Sequence, residues 1–142
     1  MSKTTKALID ILGKQTDENG QDDVIEMSVQ GTVTRHSDGS AEITYRETPM
    51  SGMEETETRL VVEGERISMF RSGQYNSTMV FEKNVKYMAM YQTPFGAFSM
   101  SILPTRVEAH MDETAAHLFI TYDYGFGPSG GQNRLEIKAK NL

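Results

Sequence analysis

Two charges stand where the surrounding pattern asks for apolar side chains. Counting by twos from Ala41 through Ile43 and Tyr45 lands on Glu47, and counting from Ile67 through Met69 lands on Arg71. Strand side chains alternate between faces, so both are predicted to point indoors, each at the end of its strand. An unpaired charge withdrawn from water is strongly unfavourable. A carboxylate and a guanidinium on the inner face must therefore find each other, as a structural ion pair at a rim, or find a ligand. Tyr45, Tyr75, Tyr91 and Tyr122 bring hydroxyls that need partners when buried. Tyr45, Glu47, Arg71, Tyr91 and Tyr122 form the candidate ligand-binding set, since a small-molecule site is a mostly apolar cavity with a few convergent polar groups. The chain has 10 methionines, and those in the inward phase (Met27, Met69, Met79, Met100, Met111) serve as adaptable walls or as core filler.

The other constellations carry less. His36 adjoins a turn, while His110 and His117 lie on the charged phase of their strands, where they are read as solvated cross-strand neighbours rather than metal ligands. The run from Asp17 to Asp23 resembles a calcium loop only in composition: Asp22 stands where the EF-hand needs glycine, and Ser28 where it needs glutamate. Gly125-Phe126-Gly127 is followed by no helix and so cradles no phosphate. His36-Ser37-Asp38 places triad residue types in one turn, where they cannot face one another. Asn76-Ser77-Thr78 matches the glycosylation pattern, which has meaning only in a secreted chain. No catalytic residue, metal site or cofactor is expected.

Period-two alternation positions these side chains. It recurs between turn signals: Ile25, Met27, Val29 and Val33; Ala41, Ile43 and Tyr45; Thr58, Leu60 and Val62; Ile67 and Met69; Tyr75, Ser77, Met79 and Phe81; Phe98, Met100 and Ile102; Val107, Ala109 and Met111; Leu118, Ile120 and Tyr122; Leu135, Ile137 and Ala139. Residues Lys6 to Gln15 form the opening strand, with Ile9 and Ile11 in phase. Asp38-Gly39 suits a two-residue hairpin, and Asn19-Gly20, Glu63-Gly64-Glu65 and Pro94-Phe95-Gly96 mark further turns. The segment 85–93 has two half-buried faces. Thr48 to Glu55 reads as a loop with room for one short helix, and Gly125 to Gly131 as a mobile glycine-rich loop. About eight to ten strands with one apolar face each close into a barrel or stack as a sandwich; closure also removes exposed edges, which favours the barrel. The expected fold is all-β: one antiparallel barrel domain over residues 1–142.

Composition agrees. Hydrophobic residues make up 37% and charged residues 24%, enough apolar surface for a core. The net charge of −6 argues against a nucleic-acid partner, which would favour a basic face. With no cysteine, disulfides, thiolate metal sites and cysteine nucleophiles are excluded. Near the start, Ala7-Leu8-Ile9 is cut short by Asp10, too little for a secretory core, and no apolar run approaches the roughly 20 residues of a membrane helix. A cytoplasmic protein without a membrane partner is expected.

Tyr45-Arg46-Glu47-Thr48, Thr58-Arg59-Leu60, Met69-Phe70-Arg71-Ser72-Gly73, Tyr91-Gln92-Thr93-Pro94-Phe95-Gly96 and Ile120-Thr121-Tyr122 together resemble the YwiB-like proteins of bacteria. The resemblance runs from about Ala7 to Lys140 and is weakest in the first hairpin and at 125–131. It implies a calycin-type, lipocalin-like β-barrel in a cytoplasmic bacterial protein, and supplies no catalytic residues. Three functions follow as expectations: a barrel that binds a small, anionic or amphipathic molecule through Arg71, Glu47 and tyrosine hydroxyls; a dimerising interaction module; or an enzyme using Glu47 as acid or base. The first requires a cavity of at least roughly 300 Å³ with Arg71 in its wall.

Overall fold

The computed structural model describes residues Ser2–Leu142. Ten strands follow one another: β1 (Ser2–Asp17), β2 (Asp22–His36), β3 (Ala41–Arg46), β4 (Thr56–Glu63), β5 (Arg66–Gly73), β6 (Asn76–Phe81), β7 (Tyr87–Thr93), β8 (Gly96–Met111), β9 (Ala115–Phe126) and β10 (Ser129–Asn141). Each pairs antiparallel with its chain neighbours, and β1 pairs with β10 to close the barrel. The connections at 18–21, 47–55, 74–75, 94–95 and 127–128 crowd one end; those at 37–40, 64–65, 82–86 and 112–114 crowd the other. Among the described residues no helix is long and apolar enough to cross a membrane.

The alternation does what it predicts. Ile9, Val33, Ile43, Leu60, Ile67, Met79, Phe81, Ile102, Leu118, Ile120 and Ile137 are fully buried in one core, while their sequence neighbours face outward. These side chains fill the half of the barrel beneath the 37–40, 64–65, 82–86 and 112–114 connections. In the ambiguous segment, Ala89 is buried and Tyr87 and Tyr91 lean inward, but Met88 and Met90 are exposed. The β6–β7 seam is thin: its register holds only Asn76 against Gln92 and Ser77 against Tyr91.

Three expectations change. Phe98–Ile102 and Val107–Met111 belong to one strand of 16 residues, β8, not two. A register shift between Pro104 and Arg106 inserts one extra residue and moves the inward phase from even to odd positions. The opening strand also runs past both ends of Lys6–Gln15, because its polar ends pair with β2 from Ser2 against His36 to Thr16 against Asp22. Gly125 to Gly131 is no loose loop, since only 127–128 lie outside the strands. A Cβ at Gly131 would sit 2.3 Å from the Thr16 carbonyl oxygen and 2.9 Å from the Tyr124 ring. The glycine is there so that β1 and β9 can approach, which tightens the segment rather than freeing it. The 47–55 connection holds a single 3-10 turn, Pro49–Ser51, capped by the Thr48 hydroxyl, which accepts from the Met50 N–H, and closed by Gly52 in the left-handed region.

Candidate functional site

Two register rows cross the open half of the barrel. In the first, Tyr45 faces Thr58, Thr58 faces Arg71, Arg71 faces Ser77, Ser77 faces Tyr91 and Tyr91 faces Phe98. In the second, Asp23 faces Gln15, Gln15 faces Asn133, Asn133 faces Tyr122 and Tyr122 faces Pro104. Directly opposed residues share a face, so each row aims its polar side chains inward. Below them the neighbouring inward positions turn apolar: Ile43, Leu60, Met69 and Met79 on one side, Ile25, Gly13, Leu135 and Ile120 on the other, with Met27, Ile11, Ile137 and Leu118 a further row down.

The two rows and the apolar positions beneath them enclose a cup of about 490 Å³ that opens at the mouth. Tyr45, Glu47, Arg71, Tyr91 and Tyr122 all line it, so the structure brings the whole sequence-derived set together. Met27, Met53, Met69, Ile11, Ile25 and Leu135 supply apolar wall; Gln15, Asp23, Ser51 and Asn133 add polar groups. The 3-10 turn at 49–51 carries Ser51 and Met53 to the rim. Tyr75 does not line the cup; it sits in the 74–75 turn, where its N–H donates to Thr56 Oγ1 at 3.2 Å. The histidines stand elsewhere. His36 contacts Glu42 on the outer face at 2.7 Å, and His110 opposes His117 across β8 and β9, with His117 packed on Phe119 at 4.1 Å between centroids. Among the described residues no group of three or more metal-ligating side chains comes together.

Each member of the set has its own environment. Glu47 continues the β3 pairing one step further, its N–H donating to the Thr56 carbonyl at 2.8 Å. The residue is 9% exposed, and its carboxylate accepts a hydrogen bond from Thr58 Oγ1 at 3.0 Å. Tyr122 is clamped between the Phe81 ring, 5.1 Å away, and the Asn133 side-chain amide, which donates to its oxygen at 2.7 Å. The Tyr91 hydroxyl donates to Met79 Sδ at 3.7 Å and faces the guanidinium. Burial pushes the pKa of Tyr45, Tyr91 and Tyr122 up, so all three hydroxyls stay protonated at neutral pH.

Arg71 is the outlier. The ion pair that would have been its ordinary structural role is absent among the described residues: Glu47 and Arg71 lie on one cavity but beyond ion-pair distance. Its Nε is shut off from solvent and has no hydrogen-bond partner, and neither has the buried hydroxyl of Ser77 on the adjacent strand. Burial works against the charge, but Tyr45, Tyr91, Glu47 and Tyr122 around it outweigh that and move its pKa up. Arg71 therefore remains a cation in the wall of an apolar cup with donor capacity to spare.

Asn133, Gln15 and Asp23 also line the cup but are not in the sequence-derived set, which holds only tyrosines and the two charges at the ends of β3 and β5. Counting by twos finds them: Ala139, Ile137 and Leu135 lead to Asn133; Ile9, Ile11 and Gly13 to Gln15; Met27 and Ile25 to Asp23.

Against known proteins, the family model described as "Domain of unknown function (DUF1934)" matches residues 9–137. The chain belongs to this family. The match spans both register rows and every residue of the candidate set, so these parts of the cup of this DUF1934 chain lie within the matched stretch. Among solved structures, the crystal structure of the ywiB protein from Bacillus subtilis superposes with a TM-score of 0.87 at 19% identity, covering 99% of this chain and 95% of that one. That likeness bears out the YwiB-like resemblance and the barrel. The search of curated proteins found no match.

Proposed function

We infer that this protein is a small-molecule-binding barrel whose cup takes an anionic group on Arg71. The observation that carries the reading is Arg71 itself, a cation without an ion-pair partner among the described residues, in the wall of a cavity of about 490 Å³. A structural arginine finds a carboxylate or carbonyls; Arg71 makes no ion pair among the described residues, has Tyr91 beside it and lines the cavity. The guanidinium fork matches a carboxylate or phosphate in two parallel hydrogen bonds, and such charge-assisted bonds are about twice as strong as neutral ones. Tyr91 and Tyr45, protonated, can donate to the same anion. The volume falls in the range of ligand pockets, about 300–1,000 Å³, and Met27, Met53 and Met69 make walls that adapt to a guest.

Thermal-shift screening against carboxylates and phosphates tests this, with native mass spectrometry of freshly purified protein beside it. At a ligand concentration about 100 times Kd the barrel gains about 2.7 kcal/mol, which Arg71→Ala should abolish. No stabilising anion and no retained compound, or full affinity in Arg71→Ala, would overturn the reading.

A further inference from the structure

We propose that the ligand is a zwitterion: one small apolar skeleton bearing an anion for Arg71 and an ammonium for Glu47. This rests on the reading of Arg71 above and adds a second contact to it. Glu47 and Arg71 both line the cup and form no ion pair with each other, so neither charge is neutralised by the other. The Glu47 carboxylate has about four lone-pair sites, and Thr58 Oγ1 occupies one of them. Asp23 lines the same cup, so carboxylates outnumber the guanidinium.

A simple acid seated on Arg71 would bring another negative charge into a cavity that already holds Glu47 and Asp23, and like charges in a partly desolvated space repel. A simple amine on Glu47 would leave Arg71 unsatisfied and face its positive charge. A zwitterion meets both groups and leaves the charge of the cup unchanged. The remaining wall, with Met27, Met53, Met69, Ile25 and Leu135, suits an apolar side chain on that skeleton. The chemical class is thus that of an apolar amino acid, with its amino and carboxyl groups both free.

Calorimetric titration of the full chain with four probes on one skeleton decides the matter: L-phenylalanine, its β-homologue, 3-phenylpropionate and phenethylamine. The homologue widens the span between the charges. The expected result is that one of the two zwitterions binds at least about tenfold more tightly than either singly charged probe. Glu47→Gln should erase that advantage without weakening 3-phenylpropionate, and Arg71→Met should erase zwitterion binding. Binding of 3-phenylpropionate as tight as either zwitterion, lost in Arg71→Met, would overturn the zwitterion and leave the anion reading standing. Probe binding indifferent to Arg71→Met, or binding of none of the four, would overturn the zwitterion; the former would also remove the anion reading. Arg71→Lys, which keeps the charge and loses the fork, replaces Arg71→Met if that variant does not fold by circular dichroism.

Discussion

If Arg71 is kept for a guest, the empty barrel should be more stable without it. Replacing Arg71 by Met and Glu47 by Gln together removes both interior charges while keeping their approximate volumes and leaving Thr58 an acceptor. A buried donor without a partner costs about 1–3 kcal/mol, and the Nε of Arg71 is such a donor. Because the cup admits water to part of the guanidinium, the lower half applies: a gain of about 1–2 kcal/mol. At about 2.1 cal/mol/K per residue, a domain of this length changes its melting temperature by about 3 °C per kcal/mol, so the double variant should melt about 3–7 °C higher. The single variant Arg71→Met should gain less, since it strands Glu47 among apolar walls, and the two substitutions should therefore couple favourably. Urea unfolding followed by far-UV circular dichroism, on protein refolded from denaturant to strip any guest, gives the free energies. A double variant that loses 1 kcal/mol or more, a figure of about the size of an ordinary hydrogen bond, with unchanged denaturant slope would refute the reasoning and make both charges structural.

Further outcomes follow from other parts of the barrel. Phe81→Ala should cost about 3–5 kcal/mol, because Phe81 is fully buried and holds the Tyr122 ring; an equilibrium melt gives the loss, and a tyrosine near-ultraviolet signal should weaken with it. Gly131→Ala should destabilise by about 1–3 kcal/mol or more, since the added carbon meets the Thr16 carbonyl of β1; a melting temperature equal to that of the parent would contradict the close approach. Glu42, held below its ordinary value of 4.5 by hydrogen bonds from His36 and then Arg59, contributes stability that is present above that value and lost as pH falls through its lowered one. The deficit of Glu42→Gln, less than about 1 kcal/mol for so shallow a site, should accordingly be seen at neutral pH and vanish in acid; a deficit that grows below pH 4.5 would reverse the sign.

The fold was legible because each inward position sits two residues from the next, and a one-residue slip would turn every side chain to the wrong face. Alternation fails only where the backbone breaks its own period. Thr105 looks like any other strand residue, so nothing in its type announces the bulge that joins two apparent strands into β8. Strand ends are equally silent: Ser2–Lys6 is polar, and its pairing with β2 is settled by register rather than by burial. Glycine was misleading in the opposite direction, because the residue type that permits motion also permits contact, and Gly131 uses the second property. For the site, phase identified Tyr45, Glu47, Arg71, Tyr91 and Tyr122 without reference to distance. It could not decide whether Glu47 reaches Arg71, since that depends on side-chain length and strand stagger across β3, β4 and β5 rather than on period.

The barrel is solid in one half and hollow in the other. Substitutions around the cup can therefore alter its lining while Ile43, Leu60, Met79, Phe81 and Leu118 hold the cylinder shut from below. The lining and the packed core occupy different storeys of the same molecule, and two chains at 19% identity share the architecture. Relatives sharing this frame are free to differ in the lining of the cup, and the residues facing the mouth, rather than the shared outline, are where that difference must be read.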